Sequence, residues 1–206
     1  MKPYEFGLAG RPWPDRASFL HVYAPIDLAA NPELAEVISR WREAIASDPI
    51  RLLPDPALHI TIEAITDTPA ARISTAERRE LANAVRAAVS GAPPYTGLAA
   101  GCLSTSSGAV VNISPAEPLA ALHRRIRAAV QATRGADATT ADISKAHISL
   151  GYCYRQVDSD LVQRHLRAVD PSHAPVAINE LRLVDVHADK DSGGLTWDTV
   201  EIIPLG

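Results

Sequence analysis

Two short stretches of this 206-residue chain interrupt an apolar run with a histidine followed two places on by a small hydroxyl. Residues 58–65 read LHITIEAI, with His59 and Thr61; residues 146–153 read AHISLGYC, with His147 and Ser149, and the two histidines stand 88 positions apart (147 − 59). An imidazole has an unperturbed pKa near ~6.5, so two of them sharing one small volume can divide the work of acid and base at neutral pH. One, neutral, takes a proton from the nucleophile; the other, protonated, gives one to the leaving oxygen. The two hydroxyls are too weakly acidic for either task, but they can donate hydrogen bonds to non-bridging phosphate oxygens and steady the charge that builds there. Two imidazoles and two hydroxyls around one site therefore suit chemistry at phosphorus, with no metal required.

That chemistry needs elements that bring the two pairs together. In a strand alternate residues share a face. On the first stretch Leu58, Ile60, Ile62 and Ala64 form an apolar face opposite His59, Thr61 and Glu63; on the second Ala146, Ile148, Leu150 and Tyr152 oppose Lys145, His147, Ser149 and Gly151. The chain around them is written twice. A strand SFLHVYAP, a helix with Leu34, Val37, Ile38, Trp41 and Ile45 on one stripe, the His59 strand, a helix opened by Ser74 and Glu77 in capping-box spacing, and a hairpin are answered by a second series. That series is the strand VVNISP, a helix carrying Leu119, Leu122, Ile126 and Val130, the His147 strand, a shorter helix at about 158–169 and a closing hairpin. The offsets are unequal: 90 from Pro25 to Pro115 and 82 from Pro93 to Pro175, as in a drifted duplication. Asn31 and Pro32 are expected to cap and start the first helix. The fold class expected is α+β and bilobal: residues 1–17 an irregular arm, residues 18–206 a single domain of two pseudosymmetric lobes, each a mainly antiparallel sheet backed by helices, with halves meeting near 105–115 and a cleft between them.

Composition narrows the partners. A formal charge of −4 and a pI near 6.0 give no lysine and arginine surplus for gripping duplex DNA, and only 5% of residues are aromatic, which argues against a long single-strand platform. A nucleotide or an RNA end fits better. No run approaches the ~20 apolar residues that span a bilayer, and the start of the chain lacks the apolar segment of a signal peptide, so a soluble, cytoplasmic monomer away from membranes is expected. Cys102 and Cys153 cannot build a four-cysteine zinc site and are expected to be reduced. His21, His123, His165, His173 and His187 show no metal-ligand spacing and take structural or surface places by default.

The paired His59-Ile60-Thr61 and His147-Ile148-Ser149, with this order of strands and helices over about residues 19–205, resemble the two-histidine (2H) phosphoesterase superfamily, which includes 2'-5' RNA ligase-like proteins and 2',3'-cyclic phosphodiesterases. The resemblance implies opening of a cyclic phosphodiester, commonly a 2',3'-cyclic phosphate to a 2'-phosphate, in a cleft between two lobes, with no cofactor. It makes His59 and His147 the catalytic acid/base pair and Thr61 and Ser149 the phosphate-binding hydroxyls. Serine stands where threonine is commoner in the second motif; the hydroxyl is kept and the methyl that restrains χ1 is lost. His147 is expected to activate water and His59 to protonate the departing ribose oxygen. Lys145, Tyr23 and Trp197 are further candidates for substrate contact, Lys145 by charge and the aromatics by stacking on a base. Two other outcomes fit the same residues: RNA 2'-5' ligation, which is the reverse chemistry, and a nucleotide-binding module without turnover. A serine hydrolase does not fit, because no GxSxG turn is present.

Overall fold

The computed structural model describes residues 1–140, 145–189 and 193–206. In chain order its elements are β1 (Gly7–Leu8), β2 (Arg11–Pro12), β3 (Ser18–Pro25), α1 (Pro32–Ala44), β4 (Ile50–Leu52), β5 (His59–Ala64), α2 (Thr75–Val89), β6 (Tyr95–Ser104), β7 (Gly108–Ser114), α3 (Glu117–Arg134), β8 (His147–Cys153), α4 (Ser159–Arg167), β9 (His173–Ile178), β10 (Glu180–Asp189) and β11 (Gly194–Pro204). The turn expected between the last two strands falls partly on 190–192, outside the described residues. Two antiparallel sheets dominate, one of order β11-β10-β3-β5 and one of order β4-β8-β7-β6-β9. Helices α2 and α3 back the first sheet through β11 and β5, and α1 and α4 back the second through β9 and β6. The molecule is thus α+β with two lobes, each an antiparallel sheet with helices on its outer face.

The lobes are not the two halves of the chain. The first half ends on β6, which leaves its own sheet and pairs with β7; the second half ends on the β10–β11 hairpin, whose β10 returns to pair with β3. The equivalent trios β10-β3-β5 and β6-β7-β8 are each built from both halves. Helix α1 likewise packs in the second lobe and α3 in the first. Such exchange follows from geometry, since hairpin partners in an antiparallel sheet must lie side by side, and the strand after each hairpin turn starts the next repeat.

Most local expectations are met by identifiable contacts. Ser74 and Glu77 form a complete capping box, worth roughly 1 kcal/mol. The stripe Leu119, Leu122, Ile126 and Val130 of α3 is buried, each side chain contributing about 1.5–3 kcal/mol. Asn31 stands at the N-cap of α1 before Pro32, but its side chain makes no cap hydrogen bond: its amide donates to the carbonyls of Asp27 and Ala177 and its oxygen accepts from the Ala177 amide, tying the helix entrance to β9. The first seventeen residues are more ordered than an irregular arm. They include the β1–β2 hairpin, and Phe6 and Trp13 are buried against the body. Cys102 and Cys153 are buried and free. Among the described residues no helix is long and apolar enough to cross a membrane.

Candidate active site

Both histidine strands carry a β-bulge at the same place. On β5 the partners run Val22 to Glu63 and then Tyr23 to Thr61, leaving Ile62 as the extra residue; on β8 they run Ala109 to Gly151 and then Val110 to Ser149, leaving Leu150. Each extra residue lies three places after its histidine. A bulge adds one residue to one strand and so reverses the in-and-out alternation beyond it. Glu63, placed by simple alternation on the face of His59 and Thr61, is therefore turned to the helix side. There it is fully buried and held by Arg127 of α3 at 2.7 and 3.2 Å, with His123 at 3.6 Å. Tyr152, placed by alternation on the core face, is turned into the cleft beside Ser149. At this bulge Gly151 lets β4 approach, for a Cβ there would lie 2.6 Å from the Arg51 carbonyl oxygen.

The cleft between the two sheets is a cavity of about 450 Å³ whose lining includes His59, Thr61, His147, Ser149 and Lys145. Adjacent strands β5 and β8 bring the two motifs together across the lobe boundary. Each histidine ring is fixed the same way, by its Nδ1 on the carbonyl two residues earlier: His59 on Ala57 at 2.9 Å and His147 on Lys145 at 2.9 Å. A carbonyl only accepts, so Nδ1 carries the proton and Nε2 is left to act on a substrate. The two rings differ in burial. His147 is exposed on its outer side, whereas His59 is 6% exposed. Burial pushes the His59 pKa down from 6.5 to about 4, opposed by the Ala57 hydrogen bond and reinforced by the nearby imidazoles of His21 and His147. With burial holding it there, His59 is neutral at pH 7.

Two tyrosines complete the arrangement. The Tyr23 ring lies 3.8 Å from that of His59 at an interplanar angle of 17°, and Tyr23 stands opposite Thr61 in the β3–β5 register. Tyr152 lines the same cavity as Ser149. Burial holds both phenols well above their usual pKa, so each stays protonated at neutral pH, and the threonine and serine hydroxyls that line the cavity can donate to a phosphate oxygen. Tyr23 is 2% exposed, so it is not the open stacking platform for a base that its strand position suggested; its ring is taken up by His59. Trp197 packs edge-on against Tyr23 and His59, at 5.2 and 5.0 Å, rather than lining the cavity. Lys145 does line it, with an exposed side chain.

Several lining residues escape motif reasoning. His21, left as structural by default, is buried, lines the cavity and has its Nδ1 on the Phe19 carbonyl at 3.1 Å; its place two residues before Tyr23 on the same strand face was the available signal. Asn112 lies opposite His147 in the β7–β8 register, and Tyr4, Phe6 and Trp13 come from the arm. No lining residue is acidic among those described, so His59, His147, His21 and Lys145 face an interior suited to an anion.

Two lobes, one cleft and one HxT/S motif from each side define a two-histidine phosphoesterase architecture. A family model described as the 2'-5' RNA ligase superfamily matches residues 30–190, and the chain belongs to that superfamily. Solved structures with the same fold include TT0787 of Thermus thermophilus, at 15% identity, TM-score 0.65, covering 91% of this chain and 97% of that one. E. coli LigT complexed with ATP is similar at 16% identity and TM-score 0.62, over 92% and 99% of the two chains. The MHV ns2 PDE domain is similar at 12% and 0.54, over 84% and 100%. LigT has also been solved complexed with 3'-AMP. Among curated proteins no sequence match is found.

Proposed function

We propose that the chain is a metal-independent phosphoesterase that opens a cyclic phosphodiester, the 2',3'-cyclic phosphate of a nucleotide or RNA end, to a 2'-phosphate. The observation that carries this reading is the acid-free cavity into which both histidines and both hydroxyls project. The solved complexes of LigT with ATP and 3'-AMP favour a nucleotide as the ligand of this cleft.

In the proposed reaction Thr61, Ser149 and Lys145 hold the non-bridging oxygens. A water on the open side of the cleft, next to the exposed ring of His147, gives its proton to His147 Nε2 as its oxygen bonds to phosphorus. The bond from phosphorus to the ribose 3'-oxygen breaks, and that oxygen takes a proton from Nε2 of the deeper ring, His59. Burial alone leaves His59 neutral at pH 7, so it acquires this proton together with the substrate. A phosphodiester brings one negative charge against a buried imidazole, which favours the imidazolium and offsets the desolvation that had suppressed it. With a ribose hydroxyl in place of water, the same two transfers would join ends: His147 takes the hydroxyl proton as its oxygen bonds to phosphorus, and His59 protonates the 3'-oxygen that leaves.

The test is a panel of 2',3'-cyclic nucleotides and short RNAs with cyclic-phosphate ends, assayed in EDTA with the product identified by phosphorus NMR. A 2'-phosphate formed at an undiminished rate in EDTA is the expected result. Loss of turnover on chelation, or titration of the nucleotide without hydrolysis, would overturn it.

A further inference from the structure

The catalytic cavity shares a wall with a second one. Tyr4 of the arm stacks on Tyr152 with ring centroids 4.2 Å apart, and these two residues with Phe6 line both cavities. The second cavity, about 480 Å³, lies between the arm, the β4 edge and the end of β8. Its chemistry differs from that of the catalytic side. Tyr154 is 56% exposed, high for a large aromatic ring, and the Arg51 guanidinium lies 6.0 Å from its centroid. Gly193 lies beside that guanidinium. Among the described residues Arg51 makes no ion pair, and Glu5, which lines the cavity from the arm, does not bridge to it.

An exposed ring flanked by a guanidinium fork meets the two halves of a nucleotide separately: the ring offers a face on which any base can stack, and the fork matches a phosphate oxygen pair. Because Tyr4, Phe6 and Tyr152 line both cavities, the second lies next to the first, on the side where the next unit of a chain held in the catalytic cavity would come. We propose that this cavity is a subsite for the nucleotide that precedes the one bearing the cyclic phosphate, its base on Tyr154 and its phosphodiester against Arg51. The inference rests on the phosphoesterase reading and sharpens it: the preferred substrate is an RNA end rather than a free mononucleotide.

The experiment compares kcat/KM for a dinucleotide ending in a 2',3'-cyclic phosphate with that for the 2',3'-cyclic mononucleotide. The wild-type protein is expected to prefer the dinucleotide by roughly tenfold or more, as one stacked base and one charge-assisted contact would give. Tyr154→Ala and Arg51→Gln should each erode that preference several-fold while leaving mononucleotide turnover within about twofold of wild type, because neither side chain lines the catalytic cavity. Equal use of both substrates by the wild type, or an intact preference in both variants, overturns the subsite and leaves the phosphoesterase reading standing. Failure to turn over either substrate overturns that reading, and the subsite with it.

Discussion

At the scale of single residues, the histidines work through what holds them. His59 is clamped on one side by the Ala57 carbonyl and on its face by Tyr23, which stands opposite Thr61 in the strand register, so one tyrosine abuts both residues of the first motif. Tyr23→Phe keeps the stacked ring and removes only the hydroxyl; kcat on a 2',3'-cyclic nucleotide is expected to drop by no more than about tenfold, the scale of one polar group removed beside Thr61. Tyr23→Ala also frees the His59 ring and should cost on the order of a hundredfold, as misplacement of a catalytic group does. Equal rates in the two variants would show that the stack does not position His59. This role could not be read from the sequence, because pairing of Tyr23 with Thr61 depends on strand register. His59, Thr61, His147 and Ser149 were legible because residue type and spacing alone single them out, and a second copy of the pattern removes coincidence.

At the scale of elements, periodicity located the strands and helices that carry the site, since a buried face leaves its mark on every second or every third and fourth residue. It failed where the period breaks. The bulges at Ile62 and Leu150 leave the composition of β5 and β8 unchanged and yet reverse the direction of Glu63 and Tyr152. Alternation therefore put Glu63 in the cleft and Tyr152 in the core, and the register puts each on the opposite side. The consequence is chemical as well as geometric. Moving Glu63 to the helix side removes a carboxylate from beside His59, and moving Tyr152 inward brings a phenol into the cavity that Ser149 lines, as Tyr23 does opposite Thr61. Asn31 shows the same limit in miniature: its position before Pro32 reads as a cap, but the strand it ties to lies 146 residues away.

At the scale of the whole molecule, duplication implied two lobes and a cleft, but not that the halves exchange their last strands. That exchange is a choice among pairings that local sequence does not distinguish, and it means neither lobe is a contiguous segment. The shared core also sets how the protein responds to acid. His21 and His59 are both buried, and burial holds each near pKa 4 rather than 6.5. Folded, they bind protons more weakly than in the unfolded chain, so the unfolded state protonates first as pH falls below 6.5. Stability is therefore lost from about pH 6.5 down to about 4, on the order of 3 kcal/mol per ring across that window, and no further below it. Urea unfolding midpoints should fall between pH 7 and 4.5, and His21→Phe, which keeps a ring between Trp13 and Tyr23, should remove part of the fall. An unchanged acid response in that variant would mean that His21 does not bury its neutral form.

The pair of histidines remains the centre of the account, and it is tested most directly by single-turnover rates of His59→Ala and His147→Ala on a 2',3'-cyclic mononucleotide, with urea unfolding to confirm that each variant is folded. Each substitution is expected to lower the rate by about a thousandfold or more, since each removes one of the two proton transfers. Near-normal turnover in either folded variant would contradict the assignment.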